Sequence, residues 1–261
     1  MPVSPEIVLN VFSFVLGAVV GSFLNVCICR LPNDQSVVSP PSRCPRCQSR
    51  IAWYDNVPML SYLLLKGKCR RCGEPISGQY PLVEAITGLL SLALFLRFGP
   101  SFIYLVLFVF CCAMVTLTFI DLKHRIIPDV ITLPGIVIGF AVSFFLPRFG
   151  WLNSLIGILA GGGSLLLIAF LYQAVTKKEG MGGGDIKLLA MMGSFFGWQA
   201  VLFIIFAASL TGSVIGVAVM LAQKKDATLA IPFGPFLASA AVLYIFYGSR
   251  IIHWYLNLGR W

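Results

Sequence analysis

Apolar residues in this chain run on in long stretches nearly free of charge, near 7–28, 81–97, 102–120, 130–146, 152–175, 186–198, 199–222 and 231–248. About 20 consecutive apolar residues cross the hydrocarbon of a bilayer as one helix. The pattern predicts an all-α polytopic membrane protein with about eight transmembrane helices. The stretch 186–198 is the shortest and abuts its successor at Gly197 and Trp198. The one long polar interval, residues 29–80, carries Pro40, Pro41, Pro45, Pro58 and Pro75 with basic residues throughout. The expected organisation is therefore a first span over 1–28, a small cytoplasmic domain over 29–80, and a helical membrane core over 81–261.

Composition agrees with that reading. The chain is 58% hydrophobic and 11% charged, with mean hydropathy +0.90, whereas soluble domains are about a quarter charged. The N-terminal stretch lacks a basic n-region and is long for a cleaved signal, so it is expected to stay as a span. Glu6 precedes it and Arg30 follows, which points the N-terminus outward. Threading eight spans from that start puts every Lys and Arg on the cytoplasmic side except Arg97, Arg148, Arg250 and Arg260, a positive-inside pattern. The net charge of +9 is thereby explained by membrane orientation, and a nucleic-acid partner need not be invoked.

The polar interval contains Cys44-Pro-Arg-Cys47 and Cys69-Arg-Arg-Cys72. Two such knuckles resemble a zinc ribbon, in which four thiolates close one tetrahedral shell. Cytoplasmic thiols are kept reduced, which disfavours disulfides, and a segment this small gains from a metal staple. A structural Zn2+ on Cys44, Cys47, Cys69 and Cys72 is expected. Redox-active dithiols are the competing reading, without a thioredoxin-like pattern around them. Cys27, Cys29, Cys111 and Cys112 lie in or beside apolar runs and read as small buried residues.

Acidic residues are rare, ten in all, and two stand at the ends of apolar runs. Asp121 closes 102–120, and Asp185 follows Gly182, Gly183 and Gly184. Ionisable groups at membrane depth are costly and usually functional. The topology places both at one cytoplasmic edge, where two carboxylates can share a proton as base and acid. The glycines allow the backbone to take positive φ and approach a substrate strand closely. A helix N-terminus favours ionised Asp185 and a C-terminus disfavours ionised Asp121. Asp185 is thus the expected base, although Lys123 and Arg125 pull the other way, and the pair titrates together. The bland reading is a cap, which is expected of Asp129 after Pro128. No His-Glu-x-x-His occurs, because His124 and His253 are far apart. Ser194 and Ser213 lack a histidine base within a span.

Several stretches together resemble the type IV prepilin peptidase family. They are Gly21-Ser-Phe-Leu-Asn25-Val26, Arg30-Leu-Pro32, Pro41-Ser-Arg-Cys44-Pro-Arg-Cys47, Trp53-Tyr-Asp55-Asn56-Val-Pro58, Ser61-Tyr62, and Gly67-Lys-Cys69-Arg-Arg-Cys72. Tyr80-Pro-Leu-Val-Glu84, Asp121-Leu-Lys-His-Arg-Ile-Ile-Pro128-Asp129 and Gly182-Gly-Gly-Asp185-Ile-Lys187 complete the ordered set. Presenilin-like proteases share the Gly-x-Gly-Asp element alone. The resemblance implies a bifunctional enzyme of the bacterial inner membrane that cuts a short basic leader from type IV pilins or type II secretion pseudopilins. It implies cleavage after glycine at the cytoplasmic face and methylation of the new N-terminus with S-adenosylmethionine. The family's catalytic aspartates map to Asp121 and Asp185, and its four cysteines are all present. Gly182, Gly183, Gly184, Lys187, Glu84, Asp55, Asn56 and Trp53 are candidate contacts for substrate or methyl donor. Glu84 reads equally as a hydrogen-bonded buried carboxyl. The glycine clusters form no Rossmann fingerprint, since no strand precedes them. Two other classes stay open from the residues alone: a transporter or channel with proton-relay aspartates, and a zinc-ribbon membrane scaffold without chemistry.

Overall fold

The computed structural model describes residues 4–145, 150–177, 182–223 and 232–257. Leu146, Arg148, Lys178, Lys224, Lys225, Ile231, Arg260 and the side chain of His253 lie outside the described residues. The chain is helical: α1 (Pro5–Arg30), α2 (Leu60–Leu64), α3 (Gln79–Phe98), α4 (Phe102–His124), α5 (Asp129–Phe145), α6 (Trp151–Thr176), α7 (Gly183–Phe196), α8 (Trp198–Gln223) and α9 (Gly234–Asn257). Two short 3-10 turns, Leu31–Asn33 and Trp53–Asn56, lie in the polar interval.

Among the described residues five helices are long and apolar enough to cross a membrane: α1, α3, α4, α6 and α8. These five meet the length and composition of a span, and the expected count of eight is not confirmed. The helix α5 and the apolar part of α9, Gly234–Gly248, are shorter. The 14 residues of α7 reach only about 21 Å. Many large apolar side chains stand exposed on the long helices, Phe12, Leu159 and Phe206 among them, as lipid-facing surfaces require.

Two compact units divide the chain, Met1–Thr116 and Leu117–Trp261. In the first, α1 and α3 pack antiparallel along small residues. A Cβ on Gly17 would stand 2.6 Å from Ser91 Cβ, and one on Gly21 would stand 2.8 Å from Glu84 Cα. Small residues let membrane helices approach this closely, and interhelical hydrogen bonds then tie them. Ser91 Oγ donates to the Ser13 carbonyl at 2.8 Å, and Asn25 Nδ2 donates to the Tyr80 carbonyl at 3.1 Å.

In the second unit α7 is central, with α5, α6, α8 and α9 packed around it. Every residue from Leu188 to Phe196 is buried. A helix sheathed by protein in this way does not need the length of a lipid-facing span. Gly161 accounts for part of the Gly161–Gly163 cluster: a Cβ there would stand 2.5 Å from the Leu189 carbonyl oxygen. Ser154 Oγ donates to the Ser194 carbonyl at 2.6 Å, fixing α6 on α7.

Candidate active site and metal centre

Asp121 lies in the last turn of α4. The helix stops because Arg125 is left-handed, φ 56°, and donates its N–H to the Asp121 carbonyl at 2.9 Å, while Pro128 cannot continue a helix. The Asp121 side chain is buried. Its Oδ2 accepts the Gly234 backbone N–H at 3.0 Å, one of the free donors at the start of α9. Asp185 stands in the first turn of α7, close enough for the Asp121 charge to act on it. Its Oδ1 is buried and finds no hydrogen-bond partner among the described residues. The two carboxyl groups expected from the sequence are therefore within electrostatic reach of each other.

Ile127 packs against the backbone on both sides of the pair. A Cβ on Gly184 would meet Ile127 Cβ at 2.8 Å, and one on Gly234 would meet Ile127 Cδ1 at 3.3 Å and Asp121 Oδ2 at 2.6 Å. The positive φ open to Gly182–Gly184 is not used. Gly182 is extended, with φ −72°, and the next two glycines already belong to α7. Gly184 serves a close approach to Ile127, whereas Gly182 and Gly183 face open space. Lys187 and Asp129 form an ion pair, Nζ to Oδ2 at 2.7 Å. The Asp129 carboxylate thus serves Lys187 and not the expected cap. Sequence reasoning missed Gly234 and Ile127. Phe233-Gly234-Pro235 carries a helix-start signal, but nothing in it says that the freed N–H meets Asp121.

The four cysteines form a cluster in the first unit. Each knuckle makes the same turn: Cys44 N–H donates to Ser49 O at 3.0 Å and Cys69 N–H to Glu74 O at 2.8 Å. A left-handed residue follows each second cysteine, Gln48 at φ 55° and Gly73 at φ 72°. The four Sγ atoms lie within 4.8 Å of one another, with Cys44 and Cys72 at 3.8 Å. Thiolates about 2.3 Å from a tetrahedral zinc stand roughly 3.8 Å apart, so the residues fit the ion. Hydrogen bonds from the Ser49 hydroxyl and backbone bring the Cys47 thiol down to about 6. The Cys72 and Arg71 backbone N–H groups lower Cys69. The Glu74 backbone favours the Cys72 thiolate, yet desolvation and the neighbouring thiols push that group up to about 11. A dication relieves that conflict by letting all four ionise together.

The remaining candidates separate by what they touch. Glu84 is buried, and its Oε2 accepts the Met59 N–H at 2.8 Å. Met59 has φ 56°, an uncommon conformation for a residue with a side chain. Asp55 is clamped by Arg70 at 2.6 and 3.0 Å, and Ser61 Oγ donates to the Tyr54 carbonyl at 2.9 Å. Trp53 and Asn56 are exposed. They line a recess of about 490 Å³ with Ser42, Arg50 and Arg71.

Residues 15–98 match the bacterial peptidase A24 N-terminal domain, and residues 108–217 match the type IV leader peptidase family. A relative in Myxococcus xanthus is 46% identical over 82% of this chain, which spans 64% of that relative's length. Relatives in Aeromonas hydrophila and Pseudomonas aeruginosa are 37% and 35% identical, each over 94% of this chain and 92% of the relative. All three are named prepilin leader peptidase/N-methyltransferase. No solved structure matches. With both halves of the chain matched in order by the two domain families, the chain belongs to the type IV leader peptidase family.

Proposed function

We propose that this protein cleaves the short leaders of type IV prepilins and pseudopilins at the cytoplasmic face of the bacterial inner membrane, then N-methylates the new N-terminus. The observation that carries the peptidase reading is that Asp121 and Asp185, at the ends of α4 and α7, lie within electrostatic reach of each other. The donor arrangement favours the opposite roles to those expected from helix ends. Asp121 receives a backbone N–H, which suits the charged form, whereas the partnerless Oδ1 of Asp185 suits a carboxyl that keeps its proton. Asp121 takes a proton from water as its oxygen attacks the scissile carbonyl carbon. Asp185 gives its proton to the carbonyl oxygen. Collapse breaks the C–N bond: the amine leaves with the proton that Asp121 took from water, and a hydroxyl of the intermediate returns its proton to Asp185. The exposed faces of Gly182 and Gly183 leave room for substrate backbone beside Asp185.

Methylation is assigned to the first unit. Trp53 offers a stacking face, Arg50 and Arg71 offer carboxylate donors, and Asn56 and Ser42 supply hydrogen bonds for S-adenosylmethionine, which brings an electrophilic methyl group. Asp55 and Glu84 hold the loop that presents them. Zinc on Cys44, Cys47, Cys69 and Cys72 has a structural role here. Co-expression with a prepilin tests both activities: Asp121→Asn and Asp185→Asn should each leave the precursor uncut while the protein still inserts. Mass measurement of pilin processed by the wild type should show one added methyl group. Substantial cleavage by either mutant would end the aspartate mechanism, and an unmethylated product would end the second activity. A proton relay or an inert scaffold would leave the precursor unchanged with the wild type as well.

A further inference from the structure

The five-residue helix α2 has an apolar face left exposed among the described residues. Leu60, Leu63 and Leu64 follow the i, i+3, i+4 spacing of one helix side, and they are 59%, 69% and 81% exposed. Ser61, on the other side, is buried against the Tyr54–Val57 turn, where it receives the Val57 N–H at 3.1 Å.

The depth of this helix is set by the residue before it. The Met59 N–H is bonded to Glu84, the sixth residue of α3. A helix of 20 residues is about 30 Å long, roughly the hydrocarbon thickness, so α3 has little length to spare. Its first residue must lie close to the hydrocarbon boundary, and Glu84 lies about 8 Å further along the axis. Met59 is therefore pinned within two helical turns of that boundary, and α2 starts at the next residue. Because α1 and α3 are antiparallel, Gly21 of α1 packs at the same level.

Charge points the same way. Residues 29–80 hold eight basic and three acidic side chains. Asp55 and Glu74 are already paired, with Arg70 and Arg46. Lys66 and Lys68, just beyond α2, are exposed and have no carboxylate partner among the described residues.

We propose that α2 is an interfacial anchor: Leu60, Leu63 and Leu64 insert into the leaflet at which α1 ends and α3 begins, and Lys66 and Lys68 bind anionic lipid headgroups. An apolar helix face with adjacent lysines binds bilayers this way, its face entering about 5–10 Å. The anchor holds the cysteine segment flat against the membrane, independently of any enzymatic activity.

Full-length Leu63→Trp and Leu64→Trp proteins, at exposed positions that tolerate the larger side chain, are placed in nanodiscs of phosphatidylcholine with phosphatidylglycerol. Lipids brominated at the upper acyl carbons serve as quenchers, and Gln48→Trp, on the first cysteine knuckle, is the control. After subtraction of the wild-type signal, the added emission at 63 and 64 should be blue-shifted and quenched at least about twofold, with the control unquenched. Replacing Lys66 and Lys68 by Gln should weaken the quenching, and so should omitting phosphatidylglycerol. Emission at both positions that is red, unquenched and equal to the control overturns the proposal. So does a blue shift that appears only when a prepilin is added, since the face would then belong to the substrate.

Discussion

At Gly234 a missing side chain and a backbone donor serve the same carboxyl group. The N–H reaches Asp121 Oδ2 at 3.0 Å, and there is no room there for a Cβ, which would stand 2.6 Å from that oxygen. Gly234→Ala should therefore displace the carboxyl group while leaving α9 itself intact, since alanine is the better helix former. Catalysis is steep in the placement of reacting groups, and a shift near 1 Å costs about a hundredfold. A time course of leader cleavage should show a loss of about ten- to a hundredfold, with a melting curve close to that of the wild type. Wild-type cleavage by Gly234→Ala would show that this contact does not set the geometry of Asp121. The Lys187–Asp129 pair lies at the same end of α7, but it is largely exposed. It is worth at most about 1 kcal/mol, so it trims the packing of α5 on α7 without dictating it.

At the scale of the element, the cysteine segment is held by three kinds of bond. The knuckles close on themselves, Arg70 ties the second knuckle to the Trp53–Asn56 turn through Asp55, and Met59 ties the following residues to α3. Isolated bridges at Arg43–Arg50 and Lys68–Pro75 are too short to hold the fold unaided. Metal removal should therefore loosen residues 42–76 and leave α3 unaffected. One zinc per chain is expected by metal analysis, and a strong chelator should raise amide exchange across both knuckles. The turn anchored by Glu84 should respond less. Cleavage should fall only as far as this loosening disturbs substrate docking. Metal-free protein with unchanged exchange in both knuckles would remove the structural role of zinc.

At the scale of the molecule, charge predicts an orientation. The described basic residues between α1 and α3 are numerous, and by the positive-inside rule this segment is expected in the cytoplasm. Cys47 and Cys72 of the same segment are exposed. After chelation, an impermeant thiol reagent should label them in inverted membrane vesicles and fail to label them in intact spheroplasts. Labelling in intact spheroplasts would reverse the topology and with it the proposed cytoplasmic site.

The sequence by itself determined the helical membrane class, the polar insertion, the two cysteine knuckles and the place of two rare aspartates at helix ends. Each rests on a local property: the length of an apolar run, a two-residue spacing, or a rare charge beside a helix end. The eight apolar runs were legible, but the number that cross lipid was not. A run such as 186–198 looks alike whether lipid or protein surrounds it, and the burial of Leu188–Phe196 comes from neighbours distant in sequence. The roles within the aspartate pair were also beyond the sequence, because helix ends gave one ranking while a donor from Gly234, 113 residues from Asp121, gives the other. Glu84 likewise read equally as a ligand contact or a buried carboxyl, until the Met59 N–H supplied its partner. Local pattern decides which elements form; the packing of distant segments decides which donor meets which carboxylate.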